Sequence, residues 1–144
     1  MNPENMDKFE FLLGDWNLDY HIPKSHLSEA STETGTGTFK KILDGRYVQF
    51  DYSTQSGGKA KGIFAWDEKM QLYRYWWFEN SGSFLSATCS FINEGVLAMN
   101  WHNSVLYQTF TKQGFDKVIL NMQYPAAKGG HSSVMEVVFT RKRK

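Results

Sequence analysis

The stretch Phe9-Glu10-Phe11-Leu12-Leu13-Gly14-Asp15-Trp16-Asn17-Leu18-Asp19-Tyr20-His21-Ile22 constrains the fold of this chain more than any other. A short apolar helical turn runs into Gly14 and Trp16. It continues as a strand whose alternate residues Trp16, Leu18, Tyr20 and Ile22 are apolar or aromatic. A period of two places those four side chains on one face of a sheet. This is the pattern expected where a small antiparallel barrel closes one end: the helix plugs it, glycine lets the chain turn, and tryptophan fills the base. Barrels of this size have room for one small ligand.

Candidate strands follow at 15–22, 34–40, 46–52, 60–66, 71–79, 84–91, 96–102, 105–111, 117–123 and 132–141, with turn signals at Pro23, Asp44-Gly45, Gly57-Gly58 and Ser81-Gly82. About ten strands at intervals of roughly 8–12 residues predict an all-β sandwich or barrel. Asn2 or Asn5 is positioned to cap a helix over 4–13, with Gly14 as its stop. The segment 24–31 reads as a lid or a plain loop. Aromatic residues make up 16% of the chain, a bias that suits pleated strands. At 144 residues the chain is expected to form one domain, 1–144.

Composition also narrows the function. A net charge of +1 argues against nucleic acid as a partner. No apolar run reaches the roughly 20 residues of a membrane span, and the N-terminus does not resemble a signal peptide. The single cysteine, Cys89, cannot form an internal disulfide, which points to a reducing, cytoplasmic setting. The basic ending Thr140-Arg141-Lys142-Arg143-Lys144 reads as a solvated terminus after the last strand.

Turns fix register, and register fixes faces. A tight Ser81-Gly82 turn pairs Trp76 with Ala87 and Arg74 with Cys89. That puts Leu72, Arg74, Trp76, Phe78, Leu85, Ala87, Cys89 and Phe91 on one, inward face. Tyr73, Tyr75 and Trp77 then fall outside as an aromatic patch suited to a homodimer; with the faces inverted they line the pocket instead. At Asn93-Glu94-Gly95, a three-residue turn with a left-handed Gly95 places Leu97, Met99 and Trp101 inside. A shorter turn would place Ala98, Asn100 and His102 there. Apolar content favours the first. Leu106, Gln108, Phe110, Val118, Leu120, Met122, Met135, Val137 and Phe139 continue the inner face.

On this register the candidate ligand-binding residues are Tyr20, Arg74, Trp76, Phe78, Met99, Trp101, Gln108 and Met122. A guanidinium inside an apolar wall needs a partner. A ligand carboxylate or phosphate suits its planar fork, while Asp51, Asp19 or water at a barrel mouth offers the internal alternative. The four histidines, His21, His26, His102 and His131, lack the spacing of a metal site. Haem needs one axial histidine, which leaves His102 or His131. Cys89 as a nucleophile requires a neighbouring base, and no nucleophile elbow or phosphate-cradling glycine motif is present. The residues point to a binding protein before an enzyme.

Phe11-Leu12-Leu13-Gly14-Asp15-Trp16, Gly35-Thr36-Gly37, Leu43-Asp44-Gly45-Arg46-Tyr47, Gly62-Ile63-Phe64-Ala65-Trp66-Asp67 and Glu136-Val137-Val138-Phe139-Thr140-Arg141 together resemble a family of uncharacterised bacterial lipocalin-like proteins, a domain of unknown function. The resemblance implies a calycin-type barrel and no established ligand or reaction. The opening is also similar to that of nitrobindins, haem-binding barrels whose proximal histidine lies in the last strand. Here that neighbourhood holds Met135 and Glu136. The expectation is a closed antiparallel up-and-down barrel, lipocalin-like, with a short N-terminal capping helix. It would hold a small apolar or amphipathic molecule, with no cofactor or with haem as the alternative.

Overall fold

A computed structural model describes residues 3–24, 29–102, 104–125 and 131–142. The chain begins with a 3-10 helix, Pro3–Leu12. Its three buried side chains, Met6, Phe9 and Leu12, recur every third residue and so stack on one side of a helix with three residues per turn. Proline at the first position needs no amide partner there. Of the two expected caps, Asn5 lies inside the helix and Asn2 lies outside the described residues.

Ten strands follow: β1 (Gly14–Ile22), β2 (Ser31–Ile42), β3 (Tyr47–Thr54), β4 (Lys59–Asp67), β5 (Leu72–Glu79), β6 (Phe84–Asn93), β7 (Val96–Trp101), β8 (Tyr107–Lys112), β9 (Lys117–Pro125) and β10 (His131–Arg141). Each pairs antiparallel with its neighbour in sequence, and β1 pairs with β10, so the sheet is a closed up-and-down barrel. Closure leaves no unpaired sheet edge. Gly37 permits the tight packing inside: a Cβ there would lie 2.6 Å from the Phe50 ring, which stacks on Phe39 at 4.1 Å between centroids.

The helix seals one end. Phe9 enters the barrel and meets Phe64, Tyr73 and Phe91 at 4.8, 5.3 and 5.1 Å between ring centroids. The Tyr73 hydroxyl donates to the Asn5 carbonyl at 2.6 Å. Trp16 is fully buried below the helix and donates its indole N–H to the Leu12 carbonyl at 2.7 Å. Arg141 completes the floor. Its guanidinium lies 4.2 Å from the Trp16 ring centroid and donates to the Leu13 carbonyl at 2.5 Å. The basic ending is therefore in part structural. Arg143 and Lys144 lie outside the described residues, as do residues 25–28 of the expected lid, His26 among them.

One expected face is inverted. Tyr73 pairs with Cys89, Tyr75 with Ala87 and Trp77 with Leu85, so these three aromatic residues point inward. Arg74, Trp76 and Phe78 point outward. The cause is the β5–β6 turn. The Glu79 amide donates to Ser83 at 2.9 Å, leaving Asn80, Ser81 and a left-handed Gly82 (φ 94°) as the loop. The loop has one residue more than a tight turn, and a one-residue slip exchanges the faces of a strand. The expected aromatic dimer patch is likewise corrected. Tyr73 and Tyr75 are buried inside the barrel, and the exposed rings on this side are Trp76, Phe78 and Phe84.

The inner faces beyond β5 follow the expected pattern. The β6–β7 loop is Glu94-Gly95 between the paired Asn93 and Val96, two residues and not the expected three. Gly95 is left-handed at φ 77°, and a bulge between Phe91 and Asn93 restores Leu97, Met99 and Trp101 to the inside.

Candidate functional site

Away from the helix the barrel interior is not filled. A cavity of about 390 Å³ lies between β1, β3 and β5–β10. Its walls are mostly apolar. Phe50, Tyr75, Trp101, Phe110, Leu120 and Phe139 bound it deeper in, and Tyr20, Tyr52, Trp77, Leu85, Met122 and Met135 stand nearer the open end. Larger depressions occur on the outer surface, such as one beside the helix lined by Asp7, Lys8, Glu10 and Phe91. They lack the enclosed apolar wall with a few placed polar groups that small-molecule sites have.

Strand periodicity brings these residues together. Trp16, Leu18 and Tyr20 climb β1 from floor to mouth on one face. Phe50 and Tyr52 do the same on β3, and Tyr73, Tyr75, Trp77 and Glu79 on β5. The rings form a nearly continuous panel: Phe50 to Tyr52 is 5.9 Å between centroids, Tyr52 to Trp77 is 5.2 Å, and Tyr20 to Tyr52 is 6.3 Å. Tyr75 reaches Trp101 at 5.7 Å along the wall, over Ala87 on the strand between them.

The polar groups are few. Gln108 is buried, accepts the Trp101 indole N–H at 3.2 Å and donates to the Met99 sulfur at 3.6 Å. Glu79 is the only charged side chain among the described lining residues. Its carboxylate accepts the Trp77 indole N–H at 2.9 Å and the Ser81 hydroxyl at 3.0 Å. Burial pushes the Tyr20 and Tyr52 phenols up, and the nearby Glu33 charge adds to the effect on both. Burial does the same to Tyr75. All three stay neutral hydroxyls in ordinary buffers.

Of the eight residues expected to bind ligand, Tyr20, Trp101, Gln108 and Met122 lie on the cavity wall. Met99 is fully buried behind Gln108. Arg74, Trp76 and Phe78 belong to the outer surface. The Arg74 guanidinium Nε donates to the Asp67 carboxylate at 2.7 Å, which holds that carboxyl below its usual range. An anionic head group directed at Arg74 is therefore excluded from the cavity. Tyr52, Tyr75, Trp77 and Glu79 take the vacated places. The signal that identifies them is Arg74 itself: a strand with an arginine on one face and three aromatic residues on the other turns the arginine to solvent.

The remaining chemistry is limited. Burial pushes the Cys89 thiol up to about 12, so it is neither a thiolate nor accessible. His102 is exposed, with Nδ1 2.8 Å from the Ser86 hydroxyl on the outer face, and His21 is exposed as well. No histidine is among the described residues lining the cavity, and the His131 side chain lies outside the described ones. Among the described residues no three His, Cys, Asp or Glu side chains converge as a metal site would require. No helix among the described residues is long and apolar enough to cross a membrane.

The barrel is similar to the crystal structure of Rv2717c from M. tuberculosis, with a TM-score of 0.65 at 13% identity over 96% of this chain and 97% of that one. A protein of unknown function from the DUF3598 family of Nostoc punctiforme also aligns, over 95% and 98% of the two chains. Its TM-score of 0.29 and identity of 7% leave it without weight. The first likeness bears on the fold alone. No family model matches the chain, and no curated protein does.

Proposed function

We propose that the barrel binds one small, largely apolar molecule non-covalently and catalyses no reaction. The observation that carries this reading is the enclosed cavity of about 390 Å³, a size within the roughly 300–1,000 Å³ usual for ligand sites. One end sealed by Trp16, Arg141 and the helix, with the other open, also supports a lipocalin-like container. Among the described residues no catalytic pair supports an enzymatic alternative, since Cys89 is a buried neutral thiol and His102 faces outward. The lone, buried Cys89 supports placing this activity in the cytoplasm.

Native mass spectrometry of freshly purified protein, followed by titration with decanol, tests the reading. A co-purifying small molecule, or saturable 1:1 uptake of decanol that Met122→Trp abolishes by filling the cavity, is expected. Absence of both in the folded protein contradicts it.

A further inference from the structure

From the charge and ring content of the cavity we infer that it selects amphiphiles with a cationic, ammonium-type head over those with a carboxylate. The inference rests on the binding reading above and names the ligand class for that site. Its basis is the chemistry of the mouth. Glu79 faces inward from the end of β5, with Trp77 and Tyr52 beside it. Its two oxygens each accept one hydrogen bond, from Trp77 and from Ser81, and an ionised carboxylate has acceptor capacity for more.

A second carboxylate lies on the same side of the rim. Glu33 pairs with Tyr20 across β1–β2, which places it in the inward phase of β2. Hydrogen bonds from the Ser56 hydroxyl and amide hold its carboxyl below the usual range, so it remains ionised. No lysine, arginine or histidine is among the described lining residues. An anionic head entering this mouth would meet two negative charges and, among the described lining residues, no compensating cation.

A cationic head meets the opposite situation. The faces of Trp77, Tyr52, Tyr20 and Phe50 carry negative quadrupole charge; Trp77, Tyr52 and Phe50 lie 5.2–6.2 Å apart between centroids, and Tyr20 is 6.3 Å from Tyr52. A ring cluster with a carboxylate at its edge is the arrangement that attracts an alkylated ammonium. The apolar tail would then lie toward Phe110, Leu120 and Phe139.

The test compares three probes with one tail: decyltrimethylammonium, decanol and decanoate, titrated by isothermal calorimetry below their micelle concentrations. Decyltrimethylammonium is expected to bind at least about tenfold more tightly than decanoate, with decanol between them. In Glu79→Gln the preference for the cation over the alcohol is expected to shrink to about twofold or less, because the amide has no charge to offer. Equal or reversed affinities in the native protein overturn the inference while leaving apolar binding intact. A full preference retained in Glu79→Gln overturns the role of Glu79. If none of the three probes binds, the binding reading itself fails. Should Glu79→Gln not fold, the ranking in the unaltered protein decides alone.

Discussion

At the scale of single residues, Arg141 illustrates how much of the closed end depends on one side chain. It stacks on Trp16 and donates to the carbonyls of Leu13, Phe11 and Phe115, tying the helix, the last strand and a neighbouring turn together. Arg141→Met removes the charged hydrogen bonds and the stacking, and a loss of about 2–4 kcal/mol is expected in urea denaturation. Arg141→Lys is expected to recover little of it, because one ammonium cannot reproduce the planar fork. Cys89 gives a pH signature. Its thiol is raised to about 12 in the folded chain against an ordinary value of 9.0, so the folded state holds the proton more tightly than the unfolded one. Stability is therefore intact below about pH 9 and falls as the pH rises from there toward 12. Cys89→Ala is expected to flatten the first part of that fall, read from denaturation midpoints between pH 8 and 10.5. An unchanged slope would contradict the assignment.

At the scale of elements, the turns separate what the residues declare from what they conceal. Alternation is plain in β1, β3 and β7–β10, and their inner faces are readable because one face is apolar apart from Gln108. In β5 both faces carry aromatic residues, so apolar content alone does not choose between them, and the turn decides. Asn80-Ser81-Gly82 and Glu94-Gly95 both end in a left-handed glycine. The first loop is one residue longer than a two-residue turn, and the second is two residues long with a bulge between Phe91 and Asn93, so both strands end one residue off a plain two-residue reading. Loop length is a property of the backbone hydrogen bonds, which sequence reports weakly. Gly82→Ala is expected to cost about 1 kcal/mol through its positive φ, with no side-chain clash to add. The helix was legible as an element but not as a 3-10 turn, although the Met6, Phe9, Leu12 spacing carries that information. Phe9→Ala removes a ring from the contact with Phe64, Tyr73 and Phe91 and is expected to cost about 3–5 kcal/mol. Thermal melting checks both variants.

At the scale of the molecule, the barrel is polarised. Aromatic packing from Phe9, Trp16, Phe39 and Phe64 fills the half under the helix, and the opposite half keeps space beneath a mouth bearing carboxylates and tyrosines. The vessel was legible in the sequence because alternation and glycine turns repeat along the whole chain. The cavity wall was half legible: Tyr20, Trp101, Gln108 and Met122 line it, whereas the β5 slip exchanged Arg74 for Glu79 and with it the sign of charge at the mouth. The most direct measurement of the central claim is NMR of methyl-labelled methionines during titration with decanol. Met122 and Met135 line the cavity, Met6 is sealed beneath the helix, and Met70 is exposed on a turn outside the barrel. Saturable shifts at Met122 and Met135, with Met6 and Met70 unmoved, are the expected result. Shifts confined to Met70, or none at any methionine, would contradict binding in the cavity.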